Sequence, residues 1–131
     1  MIEFHLNPRS ELSYNAQLIR QVRQAVRFGR LRPGDQLPTV REVISRLAVN
    51  PNTILKAYSD LEHAGLVVTR IGVGTFVSAD APEPIDRALY DSLTRDLTRW
   101  LGTARRAGMD DQTTEDLFDH LLRLASASGA A

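Results

Sequence analysis

The chain has no cysteine among its 131 residues. That excludes disulfides, zinc fingers and cysteine-held iron–sulfur centres, and it fits a reducing compartment such as the cytoplasm. No apolar run approaches the roughly 20 residues that cross a bilayer, so no membrane partner is expected. The opening MIEFHLNPRSE is not a signal peptide. Catalytic and metal-binding spacings are missing too. His5, His63 and His120 make no HxxxH or HExxH pair, and there is no P-loop and no GxSxG. The glycines of Gly72-Val73-Gly74 precede a strand-like run, whereas a dinucleotide fingerprint opens a helix. Asp110-Asp111 and Glu115-Asp116 are adjacent carboxylates, but acids at a helix start are accounted for by the helix dipole. The expectation is no enzyme, no metal and no cofactor.

Net charge is absent as well, and its absence is deceptive. Residues 1–78 carry ten Lys/Arg (Arg9, Arg20, Arg23, Arg27, Arg30, Arg32, Arg41, Arg46, Lys56 and Arg70) against six Asp/Glu, a balance of +4. Residues 79–131 carry six Arg against ten Asp/Glu, a balance of −4. Such asymmetry points to a basic half that faces an anionic partner and an acidic half with a different task. The length allows one compact domain and an extra element, or two very small units, and a domain of this size folds without a disulfide or metal.

What is present is a run of well-punctuated elements. From about Tyr14 to Phe28, Leu18, Val22, Ala25 and Val26 make one helical stripe, and Arg20, Arg23 and Arg27 lie off it. Gly29 and Pro33-Gly34-Asp35 end it, with Leu31 and Leu37 turned into the core. Thr39-Val40-Arg41-Glu42 reads as a capping box opening a second helix, whose Val40, Val43, Ile44 and Leu47 supply a buried face. Asn50 as N-cap and Pro51 as first helical residue open a third, with Ile54, Ala57, Tyr58 and Leu61 inward and Gly65 as the left-handed stop. Leu66–Thr69 and Thr75–Val77 are then strand-like runs joined through Gly72 and Gly74. Two short helices followed by a glycine-tipped hairpin is the order of a winged helix-turn-helix.

Residues 79–84 form a short proline-stiffened linker. Beyond it, residues 85–131 read as two helices. Ile85, Leu89, Leu93, Leu97, Trp100, Leu101 and Ala104 repeat along the first, which ends at Gly108. Leu117, Phe118, Leu121, Leu122 and Leu124 give the second, from about Asp111 to Ser126, a wide apolar face, and Ser126–Ala131 is a frayed tail. Two helices cannot close a core alone, so these faces cover the first domain, a second copy of the chain, or both. Trp100 beside Leu97 and Leu101 reads as core or dimer interface ahead of a ligand platform, and a small-molecule effector stays undefined.

A helix-turn-helix reads DNA because the N-terminal residues of its second helix meet base edges in the major groove. Here those are Asn50, Asn52, Thr53 and Lys56, with Arg41 placed toward the backbone or a neighbouring base and Thr39 and Arg70 toward phosphates. Asparagine suits adenine, threonine a base edge or thymine methyl, and lysine a guanine or phosphate. Each has a plainer role as well: Asn50 and Thr39 are caps, Arg70 is a strand charge, and Gly72 and Gly74 are turn residues. A wing tip entering the minor groove also needs small residues, so the two roles of the glycines do not compete.

The stretch from Ser13 to Ser78 resembles the DNA-binding domain of the GntR family of bacterial transcription regulators. GRLRPGDQLPT, REV, LAVNPNTILKAYSDLEHAGLV and RIGVGTFV carry that resemblance together. NPNT followed by KAY, with RRAGM in a short two-helix tail, resembles the YtrA subfamily and extends the likeness to nearly the whole chain. It implies that Arg41, the start of the third helix and the wing-tip glycine touch operator DNA. It also implies that Leu89, Leu93, Leu97, Trp100, Leu101, Leu117, Phe118, Leu121 and Leu122 pair two copies. Many relatives carry arginine where this chain has Pro51 and Leu55, and a basic residue near Val73; Asn52 and Lys56 are the substitutes here. The expected architecture is mostly α: a winged helix-turn-helix over residues 1–78, a linker over 79–84, and a two-helix antiparallel dimerisation element over 85–131. The expected function is a cytoplasmic, homodimeric regulator, a repressor, on a (pseudo)palindromic double-stranded operator. The alternative is a winged-helix protein-interaction module without DNA binding.

Overall fold

The computed structural model describes residues 2–129. It contains α1 (Tyr14–Arg27), α2 (Val40–Arg46), α3 (Pro51–His63), β1 (Val67–Arg70), β2 (Gly74–Val77), α4 (Arg87–Arg106) and α5 (Asp111–Ala127). Two compact units divide the chain, one ending at Asp86 and the other beginning at Arg87. The chain is mostly helical with one antiparallel hairpin, the winged arrangement that the order of caps and turns predicts.

In the first unit the stripes pack as their periodicity demands. Leu18, Val22 and Ala25 of α1 meet Ile54, Ala57 and Leu61 of α3, all fully buried, and Leu31, Leu37, Leu66, Val67 and Val77 close the core around them. Ile44 departs from its expectation. It is 40% exposed, leaving Val43 as the buried residue of α2, flanked by the partly buried Val40 and Leu47. A seven-residue helix turns fewer than two full times past the core, so one narrow edge suffices to seat it.

An N-terminal segment that carried no periodic signal completes this core. Ile2 and Phe4 are buried against it, and Phe4 lies tilted to Tyr58 with ring centroids 6.5 Å apart. Two glutamines of α1 hold the segment as a strand would. Gln17 accepts from the Asn7 amide at 2.8 Å and donates to the Asn7 and Leu12 carbonyls. Gln21 accepts from the His5 amide and donates back to its carbonyl.

The helix ends show why the strands start where they do. Gly65 has φ +80° and follows the C-cap Ala64; its amide donates to the Glu62 carbonyl, and the Leu66 amide reaches back to Leu61 at 3.0 Å. This paired closure spends the Leu66 amide on the helix. The first strand therefore begins at Val67, one residue later than the apolar run suggests, and extends to Arg70 opposite Gly74. The Leu66 carbonyl still accepts from the Ser78 amide at 2.9 Å. Beyond β2, the segment from Asp35 to Leu37 adds a third edge: Val77 N–H donates to Asp35 O, Leu37 N–H to Thr75 O, and Gln36 bridges Phe76.

Ile85 also departs from its expectation. It lies outside α4, and its amide donates to the Arg27 carbonyl at 3.0 Å, tying the proline-bearing segment back to the end of α1. In the second unit, α4 and α5 are joined by a tight turn, with the Met109 amide on Ala104 O and Asp110 capping α5 through Thr113 N–H at 2.8 Å. Those hydrogen bonds from Thr113 hold the exposed Asp110 carboxyl below the usual carboxylate range. Trp100 and Phe118 meet across the pair, centroids 6.5 Å apart. Of the tail read as frayed, α5 extends to Ala127 with Ser128 as its C-cap, and residues 130–131 lie outside the described residues.

Candidate nucleic-acid interface

Thr39, Asn50 and the hairpin bring most of the singled-out residues to the open side of α2 and α3. The Thr39 hydroxyl accepts from Glu42 N–H at 3.1 Å while Glu42 accepts from Thr39 N–H at 3.2 Å, the reciprocal box read from the sequence. Its hydroxyl proton is left over to donate to a further acceptor. Arg41, the second residue of α2, is exposed and joins no ion pair among the described residues.

Asn50 caps α3 through its side-chain oxygen, which accepts from Asn52 N–H at 2.8 Å, leaving its amide NH2 to donate to a base or phosphate. Asn52 and Lys56 are exposed and Thr53 is half-buried. Lys56 Nζ stands 3.6 Å from Asp60 across one helical turn, both well exposed. Such a pair is worth less than about 1 kcal/mol and yields readily to a stronger anion. Pro51 at the first helical position leaves no orphan N–H there, removing one of the donors a helix start offers an anion.

The wing has its own constraints. Arg70 lies over the Phe76 ring at 5.0 Å, a cation–π contact that holds the guanidinium against the hairpin. Gly72 has φ +76° at the turn, and Gly74 has φ +148° with Gln36 beneath it: a Cβ there would stand 2.5 Å from the Gln36 amide nitrogen. Backbone angle at both positions, and the Gln36 side chain beneath Gly74, thus account for both glycines. Between α2, α3 and the wing runs an open groove of about 480 Å³, lined by Thr39, Leu55, Ser59, Arg70 and the turn from Ile71 to Gly74. Ile71 at its lip is 97% exposed.

Three positioning residues escaped the sequence reading. Tyr58 is buried and its hydroxyl donates to the Pro38 carbonyl at 2.6 Å, fixing the approach to α2 on α3. Burial, helped by the charge of Glu42, pushes that hydroxyl's pKa far above its ordinary value. Glu62 accepts from Thr69 N–H at 2.7 Å and so ties α3 to β1. Gln36 donates to the Val73 carbonyl at 3.5 Å under the wing tip. Tyr58 was visible only as an apolar stripe member. Gln36 and Glu62 act across gaps that no local pattern reports.

In the second unit, Leu89, Leu93, Leu97, Leu101, Leu117, Phe118, Leu121 and Leu122 are between 36% and 57% exposed, and Trp100 is half-buried. A pocket of about 320 Å³ opens among Leu97, Trp100, Leu101, Thr114 and Phe118, with Arg105 and Asp111 3.7 Å apart at its edge. Among the described residues no helix is long and apolar enough to cross a membrane, and no three His, Asp or Glu gather as a metal set.

The family model described as bacterial regulatory proteins, gntR family, matches residues 15–77. The HTH-type transcriptional repressor YtrA of Bacillus subtilis is 33% identical over 105 residues, covering 80% of this chain and 81% of that protein. Among solved structures, YtrA from Sulfolobus acidocaldarius, a GntR-family transcription factor, superposes with a TM-score of 0.55 at 27% identity, over 76% of this chain and 97% of that one. AraR(DBD) in complex with an operator superposes with a TM-score of 0.50 at 32% identity, over 57% of this chain and 93% of that one.

Proposed function

The chain belongs to the gntR family of bacterial regulatory proteins and is a transcriptional regulator rather than an enzyme, and from that premise we propose that it represses transcription by binding operator DNA as a homodimer. The observation that carries this reading is the exposed N-terminal half of α3. Asn52 and Lys56 stand outward there, beside a groove shared with a wing that bears Arg70. That a relative of the same fold was solved with its operator supports DNA as the partner.

In this mechanism α3 enters the major groove and its side chains meet base edges, while Arg41, Arg70 and the Thr39 hydroxyl take phosphates and set the register. Gly72 and Gly74 let the wing backbone approach the minor groove. α4 and α5 pair two copies through their exposed leucines. Pairing puts two α3 helices about 34–36 Å apart on successive turns of a (pseudo)palindrome. Occupancy then depends on both half-sites together, so a change in the pairing changes affinity without touching a base contact. The site of action is the cytoplasm; no effector is assigned.

A second reading, a protein-interaction module that has given up DNA, draws on the exposed Leu55, Ile71 and Val73. Titrating salt against affinity for duplex DNA separates the two. Several phosphate contacts make the logarithm of affinity fall steeply and linearly with the logarithm of salt. Asn52→Ala then costs about 1–3 kcal/mol on the preferred duplex, and Arg70→Ala lowers the salt slope by about one for every sequence. A flat salt response would favour the interaction module and sink the DNA reading.

A further inference from the structure

Leu55 interrupts the polar strip of α3. Asn52, Leu55, Lys56 and Ser59 recur at three- and four-residue spacing and all are exposed, on the side away from the buried Ile54, Ala57, Tyr58 and Leu61. Three of these four offer hydrogen bonds or charge, whereas Leu55 is apolar and 54% exposed. A lone exposed leucine needs no explanation. This one shares a groove with Ile71 and Val73 of the wing, 97% and 63% exposed, and that groove also presents Thr39, Ser59 and Arg70. An exposed apolar strip beside polar and cationic groups suits a surface with a small apolar feature set among phosphates and base edges.

The major groove of DNA holds one such feature. Guanine, cytosine and adenine show only donors and acceptors there, while thymine adds its C5-methyl group. Leu55 can neither donate to nor accept from a base, so its contribution to choosing a sequence is through that methyl. We propose that Leu55 is a specificity-determining residue that selects thymine at one position of each half-site by covering its C5-methyl group. The inference rests on the reading of α3 as the base-contacting helix. It also turns an apparently missing arginine contact into a different base preference.

The test starts from a randomised duplex pool bound by the full-length wild-type protein, the enriched duplex then being resynthesised with deoxyuridine replacing thymine at single positions. Deoxyuridine keeps every hydrogen-bonding group and removes only the methyl. Wild-type protein should lose affinity roughly three- to fivefold at one thymine per half-site, the effect of uncovering one methyl group. Leu55→Ala should bind the thymine and deoxyuridine duplexes equally, while Asn52→Ala, weaker overall, should still discriminate them. Because Leu55 is exposed, Leu55→Ala is expected to fold, which its circular dichroism would verify. A wild-type protein indifferent to deoxyuridine at every position, or a Leu55→Ala protein that discriminates as the parent does, overturns the role of Leu55 alone. A pool from which wild type enriches nothing overturns base reading by α3, and Leu55 with it. If that protein instead retains a polypeptide whose capture Leu55→Ala abolishes, the groove is a protein-docking surface and the proposal fails.

Discussion

Replacing Gly74 by alanine tests the account of the wing most directly. Two costs should add. The backbone at Gly74 sits at φ +148°, where a side chain is strained, and holding a non-glycine residue there costs about 1–3 kcal/mol. The new Cβ would also stand 2.5 Å from Gln36 Nε2 and 3.3 Å from its Cδ. That obstacle is the end of a flexible side chain, so Gln36 can swing aside, giving up a long contact to Val73 O at 3.5 Å that is worth less than about 1 kcal/mol. The sum is about 1–4 kcal/mol, mostly backbone. For a unit of this size, about 1 kcal/mol moves the melting temperature by roughly 4–8 °C, so a fall of about 5–30 °C is expected. Thermal and urea unfolding of Gly74→Ala, Gln36→Ala and the double variant complete the cycle. The double variant should be less destabilised than the two single effects added, because removing the Gln36 amide removes the overlap but not the strain. A Gly74→Ala protein within about 0.5 kcal/mol of the parent would refute the whole account; strict additivity would refute the steric part.

Thr39→Ala removes the acceptor for Glu42 N–H and should cost about 1 kcal/mol, read as a lower urea midpoint at unchanged slope, with Thr39→Ser restoring most of it. Tyr58→Phe leaves the buried Pro38 carbonyl without its donor and should cost about 1–3 kcal/mol. It should also change the alkaline limb. With a folded pKa above the ordinary 10.0, the hydroxyl keeps its proton in the fold while the unfolded chain ionises, so its stabilisation is whole below pH 10 and declines above it. Unfolding midpoints at about pH 8 and about pH 11 should therefore diverge more in wild type than in the phenylalanine variant. Leu121→Glu places a charge on the exposed leucine face of α5; if that face pairs two copies, sedimentation should show a monomer and duplex affinity should drop to that of a single half-site. A Leu121→Glu protein that sediments as the parent does would place the pairing elsewhere.

The parts of this fold written in local chemistry were legible. Thr39, Asn50 and Gly65 mark helix ends through hydrogen bonds to residues two to four positions away, so their residue types and spacing announce them. The stripes of α1 and α3 follow from the helical repeat. What the sequence left hidden depends on partners outside the local pattern or on how much of a helix meets the core. The Leu66 amide belongs to α3 because Leu61 takes it, and Ile85 leaves α4 because its amide meets Arg27. Ile44 is exposed because α2 is too short to present more than one edge, which an apolar count cannot tell. At the interface, the pattern picked out side chains that can face a ligand, such as Asn52 and Lys56. It missed Gln36, Tyr58 and Glu62, which hold that face in shape and lie 37, 20 and 7 residues from their partners.

The edge formed by Asp35 to Leu37 against β2 has a consequence for the order of synthesis. Leu37 is made early, yet its amide bonds to Thr75, and the Asp35 carbonyl waits for Val77. A ribosome that has released α1, α2 and α3 has therefore exposed a helix-turn-helix whose wing does not yet exist and whose preceding segment has nothing to pair with. The surface shared by α2, α3 and the wing is completed only when the last residues of the hairpin emerge and close a loop of some forty residues. A nascent chain thus cannot hold the full interface before its first unit is finished.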